Sequence, residues 1–332
     1  MPKAFQMDAL KEGNRVRSFI DQCETPSRVE RCSIRRESYV YDALSRANRA
    51  GKDRRQSLSF SYSLSHLTIL RSPPPQAIEI AERAGYDYVG LRLLPSGPSG
   101  IAYPLMNDKA AMHDTRTLLA SSGVRVFDIE SIRLEPETNP DDYLPLFEAG
   151  AELGARTVIA SAFDPDPMRV VDLFATLCAS AANFDLLVHL EFIPWSVVRT
   201  PAEARTVVEA AGQRNGRILL DALHLDRSGG NVKDLAGMDG VMDYFHLCDA
   251  PPLEDPSDDG LIRTARSARL LPGDGEIDLY TIVQNAPAEA VIGVEVPSDD
   301  LTDRFGAETL AELALQATRK VVANAGRPAR SI

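Results

Sequence analysis

The sequence predicts an α/β chain folded as a (β/α)8 barrel behind an N-terminal extension, and three observations carry that prediction. From about residue 58, a unit of short apolar run, turn and amphipathic helical stretch recurs eight times. Strict alternation of this kind implies parallel strands covered by helices, and right-handed crossovers then leave a closed barrel or an open doubly wound sheet. No GxGxxG follows the first apolar run, which favours the closed barrel.

Strand-like runs fall at Ser59 to His66, Tyr88 to Leu94, Val124 to Ile132, Thr157 to Ala160, Leu186 to Phe192, Ile218 to Leu223, Tyr244 to Cys248 and Ala290 to Val296. Helical windows are expected near 74–84, 107–121, 141–153, 167–182, 201–213, 231–238, 277–285 and 307–323. The joints carry matching punctuation. "SPPPQAIEIAERAG" opens on prolines, keeps Ala77, Ile80, Ala81 and Ala84 on one face and stops at Gly85. "NPDDYLPLFEAGAELG" sets Asp141 and Asp142 at a positive helix start and ends at Gly154. In "TPAEARTVVEAAG", Thr200 is placed to cap and Pro201 to occupy the first turn. The segment from Ala250 to Leu271, rich in Pro, Asp and Ser, shows no periodicity, and a loop of that length predicts a lid or partner contact over the barrel mouth. The organisation expected is a basic extension over 1–57, the barrel over 58–325 and a tail over 326–332.

Composition narrows the function classes. Hydrophobic residues make up 44% of the 332 and charged residues 25%, the profile of a globular chain with a large core. No apolar run spans a bilayer and the N-terminus lacks the apolar stretch of a signal peptide, so a cytoplasmic protein without membrane contact is expected. Cys23, Cys32, Cys178 and Cys248 form no CxxC pair, which fits a reduced compartment. The net charge of −12 argues against a nucleic-acid partner, because basic clusters occur only in the extension (Arg28, Arg31, Arg35, Arg36 and "RANRAGKDRR" at 46–55). That segment reads as a solvated arm or a contact in a homo-oligomer or with a small partner subunit.

In a (β/α)8 barrel, chemistry sits where strands end and βα loops begin. "LLVHLEF" places Glu191 there, "RILLDALHLDRSGG" places Asp221 and His224, "YFHLCDAPP" places His246, with Asp249 beyond it, and "IGVEVPS" places Glu295. Each acid interrupts an apolar strand, where burial without a partner is expensive; a cation supplies the partner. Three carboxylates and an imidazole suit one divalent metal ion, Mn²⁺ or Mg²⁺ first, with Co²⁺ or Zn²⁺ compatible. His224 either contacts substrate or satisfies backbone groups. Arg269, before "LPGDG", is the preferred guanidinium for substrate oxygens over Arg263 and Arg266. Trp195 offers a wall for a ring substrate or rim packing. Arg92, Glu130 and His66, near the ends of the first three strands, are candidate pocket residues.

From about Ser59 to Ala323 the chain resembles the xylose-isomerase-like TIM barrel superfamily through "LEF", "DALHLDRSGG", "FHLCDAP", "RLLPGDGEIDL" and "VEVPS". The resemblance implies one metal held by Glu191, Asp221, His246 and Glu295, with His224 and Arg269 on substrate oxygens. It implies Glu191 and Glu295 as catalytic acid and base, removing and returning a proton through an enediolate, hence a metal-dependent isomerase or epimerase of a small sugar-like carbonyl compound. A lyase or dehydratase is the alternative, expelling water or an aglycone from the same enolate of a keto-sugar, dehydroshikimate-like or keto-inositol-like substrate. Endonuclease IV shares the fold but uses further His ligands for three zinc ions, and the five His residues here depart from that pattern.

Overall fold

The computed structural model describes residues 60–326 apart from 98–99, 231, 236, 239 and 288. The expected extension over 1–57, and the tail beyond Gly326, lie outside them. Eight parallel strands pair in chain order and β8 closes on β1: β1 (Ser61–Leu64), β2 (Tyr88–Arg92), β3 (Arg125–Leu134), β4 (Thr157–Ala162), β5 (Leu187–Glu191), β6 (Gly216–Asp221), β7 (Tyr244–Leu247) and β8 (Val291–Val294). Each falls within or across the apolar run that predicts it, because a strand covered on both faces must be apolar nearly throughout.

The helices among the described residues are α1 (Pro74–Ala84), α2 (Lys109–Ser121), α3 (Leu144–Leu153), α4 (Pro167–Ala182), α5 (Pro201–Ala211), α6 (Ala222–Arg227), α7 (Asp258–Ser267), α8 (Leu279–Asn285) and α9 (Asp299–Ala325). Their ends follow local chemistry. Asp166 accepts from the Met168 and Arg169 amides to start α4, and Thr200 with Glu203 forms a reciprocal capping box on α5. Gly85 ends α1 at φ 85°, a left-handed conformation that a Cβ would strain.

The structure corrects three expectations. A 3₁₀ turn, Val232–Leu235, stands where a helix over 231–238 was expected. The last helix begins at Asp299, capped by Ser298, and breaks at Gly306 before continuing. The stretch 250–271 contains a regular helix, α7, started by Ser257. That helix is only ten residues long and buries Gly260, Leu261 and Ala265 on one face, so its period falls short of the window of about 11–18 residues over which a helical pattern is read.

Inside the barrel, Tyr88, Phe127, Ile159, Leu219, Tyr244 and Val291 form a packed layer, with Phe127 and Tyr244 ring centroids 4.5 Å apart. Burying each such side chain is worth roughly 1.5–3 kcal/mol. The layer plugs the barrel, so a cavity opens at the C-terminal ends of the strands.

Candidate metal and substrate site

Strand register decides which side chains meet at that end. In β6 and β7, Asp221 lies opposite His246. Glu191 lies opposite Leu219, two residues before Asp221, and His246 lies opposite Gly293, two residues before Glu295. Side chains two apart share a face, so all four project to the interior, stepped around the rim. Their ligand atoms lie within 4.8 Å of one another. All four sit at the ends of β5 to β8, three of them buried and Glu191 at the cavity edge.

Each is held differently. Asp221 caps α6, its Oδ1 accepting from the Leu223 and His224 amides at 2.8 and 3.1 Å, and its Oδ2 takes Arg269 Nη1 at 2.6 Å. Glu295 accepts from Ser65 Oγ at 2.7 Å and lies 3.0 Å from Arg269 Nη2. His246 Nε2 lies 3.0 Å from the Tyr244 hydroxyl, which donates to Asp128 Oδ2 at 2.9 Å. This leaves His246 Nδ1 buried without a hydrogen bond among the described residues, facing the carboxylates of Glu295 at 3.3 Å and Asp221 at 3.8 Å. An imidazole anchored through one nitrogen presents a lone pair at the other, the usual disposition of a metal-binding His. Glu191 accepts no hydrogen bond among the described residues; His224 Nε2 is 3.7 Å away.

The electrostatics match a ligand cluster. Burial, reinforced by the Glu295 charge, pushes the Glu191 carboxyl up to about 8. Against the cost of burial, the Glu295, Asp221 and Glu191 carboxylates raise the His246 imidazole to about 10. Burial also opposes the charge on Glu295, yet His246 and Arg269 hold it well below the usual carboxylate range. Three carboxylates and an imidazole crowded into one dry pocket, with Glu191 and His246 pushed toward their protonated forms, make a donor set that fits a divalent cation once those protons leave.

The cavity above measures about 210 Å³ and is lined by Glu191, Trp195, His224, His246, Arg269 and Glu295 on one side and by Arg92, Glu130, Arg133 and Arg266 on the other. His224 stays neutral, burial lowering it to about 4; its Nδ1 is buried without a partner among the described residues. Trp195 packs edge-on against it at 5.2 Å. Arg92 pairs with Glu130 at 2.6 Å.

Two expected substrate contacts are differently employed. His66 lies outside the cavity lining: its Nδ1 accepts from the Arg92 amide and its Nε2 faces the Ser72 carbonyl, both at 2.8 Å. The chain leaves β1 at Leu64 and His66 opens a 3₁₀ turn, His66–Ile69, so its ring is carried off the inward face of the strand. Arg269 borders the cavity, but its guanidinium is engaged by Asp221, Glu295 and the Ala265 carbonyl. It orients two ligand carboxylates. Asp249 is structural too, accepting from the Gly273 and Ile277 amides to fold the "LPGDGEI" loop. Sequence reasoning missed Asp128, Tyr244 and Arg133, and it ranked Arg266, which also lines the cavity, below Arg269. Asp128 and Tyr244 were detectable, each standing two residues before a predicted site residue on the same strand.

A closed parallel barrel with a carboxylate-rich ligand set at its C-terminal rim defines the class of this protein. Residues 78–321 match the model of the xylose isomerase-like TIM barrel family, and the chain belongs to that family. An inosose isomerase of Bacillus velezensis is 24% identical over 224 residues, 64% of this chain and 78% of the relative. The solved structure of the IOLI protein with a binding zinc atom superposes with a TM-score of 0.69 at 19% identity, covering 80% of this chain and 99% of that one. The probable 3-DHS dehydratase AsbF from Bacillus anthracis gives 0.61 at 14% identity, covering 78% and 100%.

Proposed function

We propose that the protein is a divalent-metal-dependent isomerase or epimerase acting through an enediolate on a sugar-like or polyhydroxy carbonyl compound. The observation that carries this reading is the meeting of Glu191, Asp221, His246 and Glu295 around an orphaned imidazole nitrogen at the floor of a small cavity. These residues would hold Mn²⁺, with Mg²⁺, Co²⁺ and Zn²⁺ compatible with the same donors. When bound, the ion polarises the substrate carbonyl, acidifies the neighbouring C–H and stabilises the enediolate.

The protein side of the reaction divides between unlike carboxylates. Glu191, free of hydrogen-bond donors and open to the cavity, takes the proton from the carbon beside the carbonyl. Glu295, fixed by Ser65 and Arg269, lies close enough to take part in returning one. General acid–base catalysis of this kind contributes about 10²–10⁴-fold. His224 uses its free Nδ1 on a substrate hydroxyl, Trp195 walls the ring, and the Arg92–Glu130 pair faces the far end. The similarity to inosose isomerases makes a keto-inositol the first substrate to try.

The test is turnover of a keto-inositol in deuterium oxide with Mn²⁺, followed by NMR and mass spectrometry. Deuterium at the carbon next to the carbonyl, in a product of otherwise unchanged mass, supports isomerisation or epimerisation. Loss of water places the enzyme among the lyases of this fold. Complete absence of exchange across keto-inositols and ketoses sinks the proposal.

A further inference from the structure

Beside the carboxylate cluster, the same cavity carries a group of arginines. Arg92 from β2, Arg133 from β3 and Arg266 from α7 all line it, with Glu130 the carboxylate among them. Arg92 is 6% exposed. Its Nη2 is held by Glu130 and its Nη1 by Ser96, 3.2 Å away, yet its Nε is buried without a partner among the described residues. The neighbouring Ser131 hydroxyl is likewise buried and unpaired. Arg133 lies flat over Phe163, its guanidinium carbon 3.5 Å from the ring centroid, with Glu135 on its Nε at 2.9 Å. Arg266 has no carboxylate or hydrogen-bond partner among the described residues. Burial, then the charges of Arg92 and Arg133, lowers its pKa, so three guanidiniums share one field. Glu130 and Glu135 offset Arg92 and Arg133, which leaves the Arg266 guanidinium as the cation of this group without a carboxylate among the described residues, free to meet an incoming anion.

We propose that Arg92, Arg133 and Arg266 form an anion subsite, and that the substrate carries a carboxylate or phosphate at the end remote from its enolisable carbonyl. This rests on the enediolate reading above and narrows it from polyhydroxy carbonyl compounds in general to acidic ones. Two of the arginines are immobilised before binding, Arg92 by Glu130 and Arg133 by Phe163, and planar guanidinium forks match both kinds of anion. Arg266, on the helix that follows β7, closes the third side. Glu130 Oε1, also unpaired, is left to accept from a substrate hydroxyl beside the anion.

The experiment is calorimetric titration of the Mn²⁺-loaded full chain with matched ligands: fructose 6-phosphate against fructose, and shikimate against myo-inositol. The acidic member of at least one pair is expected to bind about tenfold or more tightly than its neutral counterpart, the worth of one charge-assisted contact or more. Which pair shows the preference distinguishes phosphate from carboxylate. Arg266→Gln, on an exposed position of α7, and separately Arg133→Gln, are expected to collapse that preference with metal content unchanged. Equal binding within both pairs overturns the subsite. So does a preference that survives both substitutions, since the anion would then sit on the metal. Deuterium exchange scores the enediolate reading separately. Exchange on a neutral ketone without any acidic preference keeps that reading and removes the subsite. An acidic preference without exchange on any ketone does the reverse.

Discussion

His246 shows how a single side chain is prepared for its task. Its Nε2 is spent on the Tyr244 hydroxyl, which is spent on Asp128, so Nδ1 is the nitrogen left for a cation. Tyr244→Phe is therefore expected to weaken Mn²⁺ binding by about 10–100-fold, measured by titration calorimetry; a loss no greater than that from Val291→Ala in the same packed layer would assign Tyr244 to packing alone. Glu191 stands at the other extreme, with no donor holding it. Glu191→Gln at saturating metal is expected to slow solvent exchange by about 10²–10⁴-fold, and exchange within a few-fold of wild type would move the base elsewhere. The convergence of Glu191, Asp221, His246 and Glu295 on one rim was legible in the sequence because each of these polar residues breaks an apolar strand. The Asp128–Tyr244 support was signalled only by its spacing, two residues before Glu130 and His246 on the same strands, because a tyrosine in a buried strand otherwise reads as core until its hydroxyl is given a partner.

At the scale of elements, strand stagger makes the site. Glu191 and Glu295 are each brought level with Asp221 and His246 by a two-residue step in register, and glycine in β8 makes the room. A Cβ on Gly293 would stand 2.4 Å from His246 Cδ2 and 2.7 Å from the Tyr244 hydroxyl. Gly293→Ala should thus displace the imidazole, costing about 1–3 kcal/mol of stability and lowering metal affinity together. Unchanged melting and unchanged metal binding would show that the ring has space to move. The eight strands and the capped helices α1, α4 and α5 were legible because apolar runs and cap residues are local signals. Helix α7 was not, since its ten residues lie inside a long Pro- and Asp-rich stretch, although Ser257 followed by Asp258 and Asp259, with Leu261 and Ala265 four apart, is a local signal of it. The Arg92 and Glu130 side of the cavity was named from the strand ends, but the convergence of Arg133 and Arg266 on it was not, since they come from separate elements that only the closed barrel brings together.

For the whole molecule, the consequence is a linkage between protons and metal. In the metal-free protein the Glu191 carboxyl, pushed up to about 8, and the His246 imidazole, raised to about 10, both hold protons at pH 7. Both must lose them to act as ligands. Metal binding at pH 7 is thus expected to release protons, and apparent affinity to rise as pH climbs toward 8. Calorimetry in buffers of different ionisation enthalpy measures the release; an observed heat independent of buffer would remove this coupling. No helix among the described residues is long and apolar enough to cross a membrane. The acidity of the chain is spent partly inside the barrel, where Glu130, Glu191, Asp221 and Glu295 gather at one rim.

The most direct test of the central claim, that four strand ends build one divalent-metal site, is the metal stoichiometry of the purified full chain after Mn²⁺ loading and desalting. The measurement is made by plasma mass spectrometry on the wild type and on Asp221→Ala, His246→Ala and Glu295→Ala. A single ion per chain in the wild type, and little or none in each folded variant, is the predicted result. A wild type that retains no divalent ion, or variants that retain it in full, would contradict the account.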